Sequence, residues 1–141
     1  MREILFRGKL YLNRKWIYGM PSYDLQYIFN DENLDSPDNF MVNPGTVTQF
    51  TGITDKNGIK LFEGDILQYT AHPGYLMKSC LMTVCFDTQR ACFGYQSTEH
   101  IHPDYINPFS DHDELESDVL SHCEIIGNIH DNPELLIAAT P

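Results

Sequence analysis

The chain predicts a mostly β fold, a small barrel or sandwich with one or two short helical turns. Short runs of β-branched and aromatic residues recur along it, punctuated at regular spacing by Gly, Asn, Asp and Pro. Only two segments carry helical character. The 141 residues suit one domain, or one domain with a small appendage. With 42% hydrophobic and 21% charged residues the chain can bury a core unaided, which excludes a disordered, collagen-like or fibrous chain.

Taken in order, Ile4 and Phe6 alternate with polar Glu3 and Arg7, the pattern of a half-buried strand. Asn13-Arg14 suits a turn, and Lys15-Trp16-Ile17-Tyr18 returns as a second strand. Tyr23 to Phe29 is expected to pair as a third. The polar stretch Asn30 to Asn39 is rich in turn formers and reads as a loop. It separates an N-terminal β part, residues 1–45, from a C-terminal part, residues 46–141. There Val47-Thr48-Gln49-Phe50-Thr51 opens a strand, and Asp55-Lys56-Asn57-Gly58 is a hairpin signal. The Asn-Gly pair points to a type I′ turn, which needs positive φ at both central residues. Glu63-Gly64-Asp65 is a second tight corner before Ile66-Leu67-Gln68-Tyr69. Leu81 to Phe86, Ala91 to Tyr95 and Cys123 to Ile129 complete the strands. The helical candidates are Asp111 to Leu120, with Leu115 and Val119 on one face, and Glu134 to Ala139 after Pro133.

The charge balance excludes a broad phosphate-binding surface. The chain carries 20 acids and 9 bases, a net charge of −11. After residue 70 only Lys78 and Arg90 are basic, so no cluster there can release counterions from a nucleic acid. The first 30 residues hold Arg2, Arg7, Lys9, Arg14 and Lys15 against Glu3 and Asp24. Tyr11, Trp16, Tyr18, Tyr23, Tyr27 and Phe29 are interleaved with these bases. Aromatics beside cations are the ingredients of a single-strand stacking surface. They equally serve as cross-strand pairs in a small sheet or as a self-association patch.

Few residues suggest catalysis. Cys80, Cys85, Cys92 and Cys123 show no C-x-x-C spacing, and all four read as small buried hydrophobes. There is no Gly-x-Ser-x-Gly elbow and no Gly-Lys-Ser/Thr after any glycine. Glu63 and Asp65 are paired carboxylates, but Asp65 is expected to bond nearby backbone N–H groups at the corner that Gly64 permits. His100, His102 and Asp104 alternate, so an extended chain places them on one face near Asp111, His112, Asp113 and Glu114. Imidazole and carboxylate donors suit zinc or iron. A polar loop with incidental histidines is the plainer reading, and no catalytic, cofactor-binding or metal residue is assigned.

Two stretches are distinctive: Gln49-Phe50-Thr51-Gly52-Ile53-Thr54-Asp55-Lys56-Asn57-Gly58-Ile59-Lys60-Leu61-Phe62-Glu63-Gly64-Asp65-Ile66-Leu67, and Cys123-Glu124-Ile125-Ile126-Gly127-Asn128-Ile129-His130-Asp131-Asn132-Pro133-Glu134-Leu135-Leu136. With the opening Arg2 to Arg7, they resemble the YopX family of phage and prophage proteins over nearly the whole chain. The segments from His72 to Ser79 and from Glu99 to His122 carry no part of the resemblance. The resemblance implies a C-terminal part related to small SH3-like barrels, an N-terminal β extension, and carriage on a bacteriophage or prophage. It supplies no reaction and no catalytic residues.

With no apolar stretch of about 18 residues and no signal-like core at the N-terminus, a bacterial cytoplasmic location is expected. The expected function is that of a non-catalytic accessory protein, binding a protein partner or itself without a cofactor. The alternatives are nucleic-acid binding through the N-terminal basic and aromatic face, and an acidic nucleic-acid mimic that inhibits a host enzyme.

Overall fold

The structure is a computed structural model describing residues 2–31, 40–71, 73–74, 78–98, 104–109 and 119–139. The chain divides into two compact units, Met1–Gly52 and Ile53–Pro141.

The first unit is built on an antiparallel sheet in the order β3-β2-β1-β4, with β1 at Phe6–Lys9, β2 at Trp16–Pro21, β3 at Ile28–Phe29 and β4 at Thr48–Thr54. The β1–β2 turn closes through Leu10 N–H to Lys15 O at 2.9 Å, and Asn13 Oδ1 accepts from Lys15 N–H at 3.0 Å. The core is Ile17, Ile28 and Val42, with Phe6, Leu10, Phe40 and Val47 packed around it. Val42 reaches this core by seating on Gly8, where a side chain would crowd its methyl groups. A short 3-10 turn, Pro44–Thr46, is capped by Asn43, whose side chain accepts from Gly45 N–H at 3.0 Å. Buried Thr46 ties that turn to the sheet, its hydroxyl accepting from Lys9 N–H at 2.8 Å.

Two expectations for this unit change. Only Ile28–Phe29 of the expected third strand pairs with β2. Residues Ser22 to Gln26 turn instead, because Asp24 accepts from the Ser22 hydroxyl at 2.7 Å and from Gln26 N–H at 3.2 Å. The Ser22 bond, then the Gln26 bond, hold the Asp24 carboxyl below its ordinary range. Ile4 is exposed ahead of β1, whereas Arg7 is only 6% exposed. The alternation assigned the arginine to solvent, but a tryptophan on the neighbouring strand covers it.

In the second unit, the end of β4 forms a hairpin with β5 (Lys60–Phe62). The hairpin turn is not type I′. Gly58 has φ +78°, and Asn57 is not among the residues at positive φ. Gly58 N–H reaches Asp55 O at 3.1 Å and Asp55 N–H reaches Ile59 O at 2.8 Å, a three-residue loop whose last glycine forms a bulge. A second antiparallel sheet runs β10-β6-β7-β8-β9, comprising β6 (Asp65–Tyr69), β7 (Cys80–Asp87), β8 (Cys92–Ser97), β9 (Asn107–Pro108) and β10 (Cys123–Asn128). Its core contains Leu61, Leu67, Tyr69, Met82, Val84 and Tyr95, closed by Phe109, Val119 and Cys123. The β7–β8 turn is capped by Asp87, which accepts from Gln89 N–H at 2.9 Å and meets Arg90 at 2.7 Å. Arg90 also donates to Ile106 O at 3.0 Å and lies over the Tyr105 ring, fixing the segment that enters β9.

This sheet is not a closed barrel, which corrects the barrel expectation. Closure would require β9 to pair with β10. β9 is two residues long and contains Pro108, which has no N–H to donate. The free side of β10 is occupied by the β4–β5 turn: Lys56 N–H donates to Cys123 O at 3.0 Å, and Asp55 accepts from Ile125 N–H at 3.2 Å. The mostly β character is as expected; the structure organises it as two antiparallel sheets.

A 3-10 turn, Val119–His122, precedes β10, and the helix α1 (Glu134–Ala139) follows Pro133. The rest of the expected acidic helix, residues 111–118, lies outside the described residues, as do His100 and His102. No helix among the described residues is long and apolar enough to cross a membrane. All four cysteines are free thiols, but only Cys80 and Cys123 are buried. Cys85 and Cys92 are half-buried, because their strand positions face away from the core that holds Val84 and Tyr95.

Candidate interaction face

The two distinctive stretches fold onto each other. Asp55, at the tip of the first, is buried; its Oδ1 accepts from Asn57 N–H at 2.8 Å and Ile59 N–H at 3.0 Å. Its Oδ2 takes the Ile125 N–H of the second stretch, and Lys56 faces Glu124 at 3.7 Å. Asp65 pairs with Asn128 across β6 and β10. Gly64, at φ +90°, accepts from Ile129 N–H at 2.9 Å through its carbonyl. Asn128 Oδ1 caps the following turn, accepting from His130 N–H at 3.0 Å and Asp131 N–H at 2.9 Å. The polar side chains of these stretches therefore organise backbone reversals.

Glu63 and Asp65 have separate surroundings. Buried Asp65 accepts from Phe62 N–H at 2.8 Å, the corner bond expected from its position. Glu63 is half-buried, and burial raises its carboxyl above the ordinary value of 4.5. Burial, then the Glu63 and Asp87 carboxylates, push the Cys85 thiol up to about 11; burial takes Cys123 to about 12. Neither thiol is poised as a nucleophile near neutral pH. The raised Glu63 carboxyl favours the folded state fully below pH 4.5, and that contribution is lost as the pH rises through the folded value. Glu63→Gln is therefore expected to melt at a higher temperature than wild type at pH 7, with the gap closing below pH 4.5. Thermal melts across that range check it; a lower melting temperature at pH 7 would contradict the assignment.

The metal candidates do not assemble among the described residues. Asp104 is exposed, His100 and His102 lie outside the described residues, and the described His, Cys, Asp and Glu form no group of three suited to a metal ion.

What the structure does assemble is one face of the first sheet. Cross-strand register sets Lys9 opposite Trp16, Arg7 opposite Tyr18 and Met20 opposite Phe29. These side chains project away from the Ile17, Ile28 and Val42 core. Tyr27 stacks on Phe29 with ring centroids 6.1 Å apart. The Arg7 guanidinium lies 4.4 Å from the Trp16 ring centroid and the Lys9 ammonium 5.7 Å from it. Arg7 Nε also reaches the Thr48 hydroxyl at 3.4 Å. Trp16, Tyr18, Tyr27 and Phe29 thus share a face, while Tyr11 and Tyr23 project from turns. Tyr18 and Met20 remain 45% and 51% exposed. A shallow depression of about 400 Å³ lies beside them, lined by Trp16, Ile17, Tyr18, Asn30 and Asp31. Asn30 donates to Tyr18 O at 2.9 Å and fixes its rim. Composition pointed to these residues; the shared face follows from a strand register that sequence did not specify.

No curated protein matches the chain. The crystal structure of protein EF1440 from Enterococcus faecalis is similar, with a TM-score of 0.53 and 22% identity over 96% of this chain and 99% of that one. At that identity the likeness is one of fold. The YopX protein family matches residues 7–137, which include both distinctive stretches and the β1–β2 sheet face, and the chain belongs to that family.

Proposed function

We propose that this YopX-family chain is a phage- or prophage-encoded accessory protein of the bacterial cytoplasm, a non-catalytic module that acts through protein contact or self-association. In this reading its second unit is an open relative of the SH3-like folds. The observation that carries it is the exposure of Tyr18 and Met20 on the sheet face that also holds Trp16, Tyr27 and Phe29. Large apolar side chains gathered on one open face mark contact surfaces. A photo-crosslinking residue at position 18 tests it in the host cell. A discrete protein cross-link is expected, lost when Met20→Asp is added. A chain that sediments as a monomer and yields no cross-link would overturn the proposal.

A second reading, single-stranded nucleic acid on the same face, is favoured by the cations over Trp16. It predicts salt-sensitive binding that weakens when Arg2, Arg7 and Arg14 become Ala; no binding at low salt removes it. Protein contact is the stronger reading. Arg7 is buried against Trp16 and Thr48, and the net charge of −11 opposes a polyanion. An acidic mimic needs its carboxylates arrayed along one face, and Asp55, Asp65 and Asp87 are withdrawn from any such array, being buried and bonded to backbone N–H groups.

A further inference from the structure

We infer that the β1–β2 turn of the first unit docks on the acidic second unit of another copy of the chain. This rests on the binding-module reading above and names its partner. The turn is unusual for its apolar tip: Leu12 is 80% exposed and Tyr11 58%. Exposed Met41 lies beside them, its carbonyl accepting from Tyr11 N–H at 3.1 Å. Exposed Arg14 and Lys15 follow, and residues 2–15 hold five bases against one acid. An apolar tip followed by two exposed cations selects an acidic surface with apolar patches.

The second unit has that chemistry. Residues 53–141 hold fourteen acids and four bases. Of those bases, Arg90 is joined to Asp87 and Lys56 faces Glu124 within the same unit. Among its described residues, Glu124, Asp131 and Glu134 are exposed in the same terminal stretch as exposed Ile126, Ile129 and Ile137. Turn and acidic unit are different surfaces, so copies join either reciprocally as a two-fold dimer or head to tail as a ring or open chain.

Sedimentation of the full chain over a concentration series, at low and high salt, tests this. Wild type is expected to associate reversibly, with the association constant falling about tenfold or more at high salt. Leu12→Asp, the pair Arg14→Glu with Lys15→Glu, and the pair Glu124→Lys with Glu134→Lys are each expected to sediment as monomers. An equimolar mixture of the two charge-reversed proteins is expected to regain the larger species, which misfolding could not produce. Association that ignores salt and the Arg14/Lys15 reversal would overturn the inference, as would a mixture that stays monomeric. A wild-type monomer whose position 18 still cross-links a host protein would end the self-contact and leave the binding-module reading standing. A wild-type monomer with no cross-link would end both.

Discussion

Asp55→Ala is expected to destabilise the second unit by about 3 kcal/mol, read as a lower urea midpoint by far-UV circular dichroism. The buried carboxylate accepts three backbone N–H groups, from Asn57, Ile59 and Ile125. Each bond to an ionised acceptor contributes about 1.5–3 kcal/mol, and the alanine leaves the half-buried Ile125 N–H facing a methyl group. The Asn57 and Ile59 donors are at the exposed turn and recover water, which holds the total well below the sum of three such bonds. Asp55→Asn separates the components. Its amide can keep one oxygen on the hairpin N–H groups, but then turns an NH₂ toward the Ile125 N–H. A loss of about 1–2 kcal/mol is expected, smaller than for Ala. Equal losses for the two variants, or a loss below about 1 kcal/mol for Ala, would show that the carboxylate does not hold the hairpin to β10.

Gly19→Ala is expected to cost about 3 kcal/mol in the first unit and to dismantle its aromatic face. A Cβ built on Gly19 would overlap the Phe29 carbonyl and crowd the Asn30 side chain. The obstruction is backbone, so no rotamer change relieves it. β3 is only two residues long and must move. Phe29, and the Tyr27 ring stacked on it, would move with it. Trp16 is the chain's single tryptophan and lies in the adjacent strand, so its fluorescence reports the loss. Two other glycines calibrate the result. At Gly45 a Cβ would make only an ordinary 3.5 Å contact with Asn43 Oδ1, and alanine there is expected to change stability by less than about 0.5 kcal/mol. Gly58 has open space but holds φ +78°, so alanine there is expected to cost about 1 kcal/mol from backbone strain alone. If Gly19→Ala behaves like Gly45→Ala, the close approach of β3 is wrong.

Local instructions were the legible ones. The corners at Asp55–Gly58 and Glu63–Asp65, the Asn13-Arg14 turn and the helix after Pro133 all lie where adjacent residues demand them. Even there, the Asn-Gly pair does not fix the type of hairpin turn. Asn57-Gly58 fits a two-residue loop equally well, and the Asp55 carboxylate, by capping two N–H groups, selects the longer one. The alternation near Phe6 does not fix exposure, for a different reason. A period of two marks which residues share a face, and it does not show that the opposite face carries Trp16 to cover Arg7.

The chain by itself determined its mostly β character, the places where it reverses, its acidic balance and its YopX membership. Each depends on composition or on residues a few positions apart, where φ preferences and short side-chain acceptors act directly. Tertiary structure alone decided that Asp55 would meet Ile125 seventy positions away, that the second sheet would stay open, and that Trp16, Tyr18, Met20 and Phe29 would share one face. Those outcomes are set by strand register and edge competition between distant segments, in which every pairing is weighed against all others and no local stretch carries the answer.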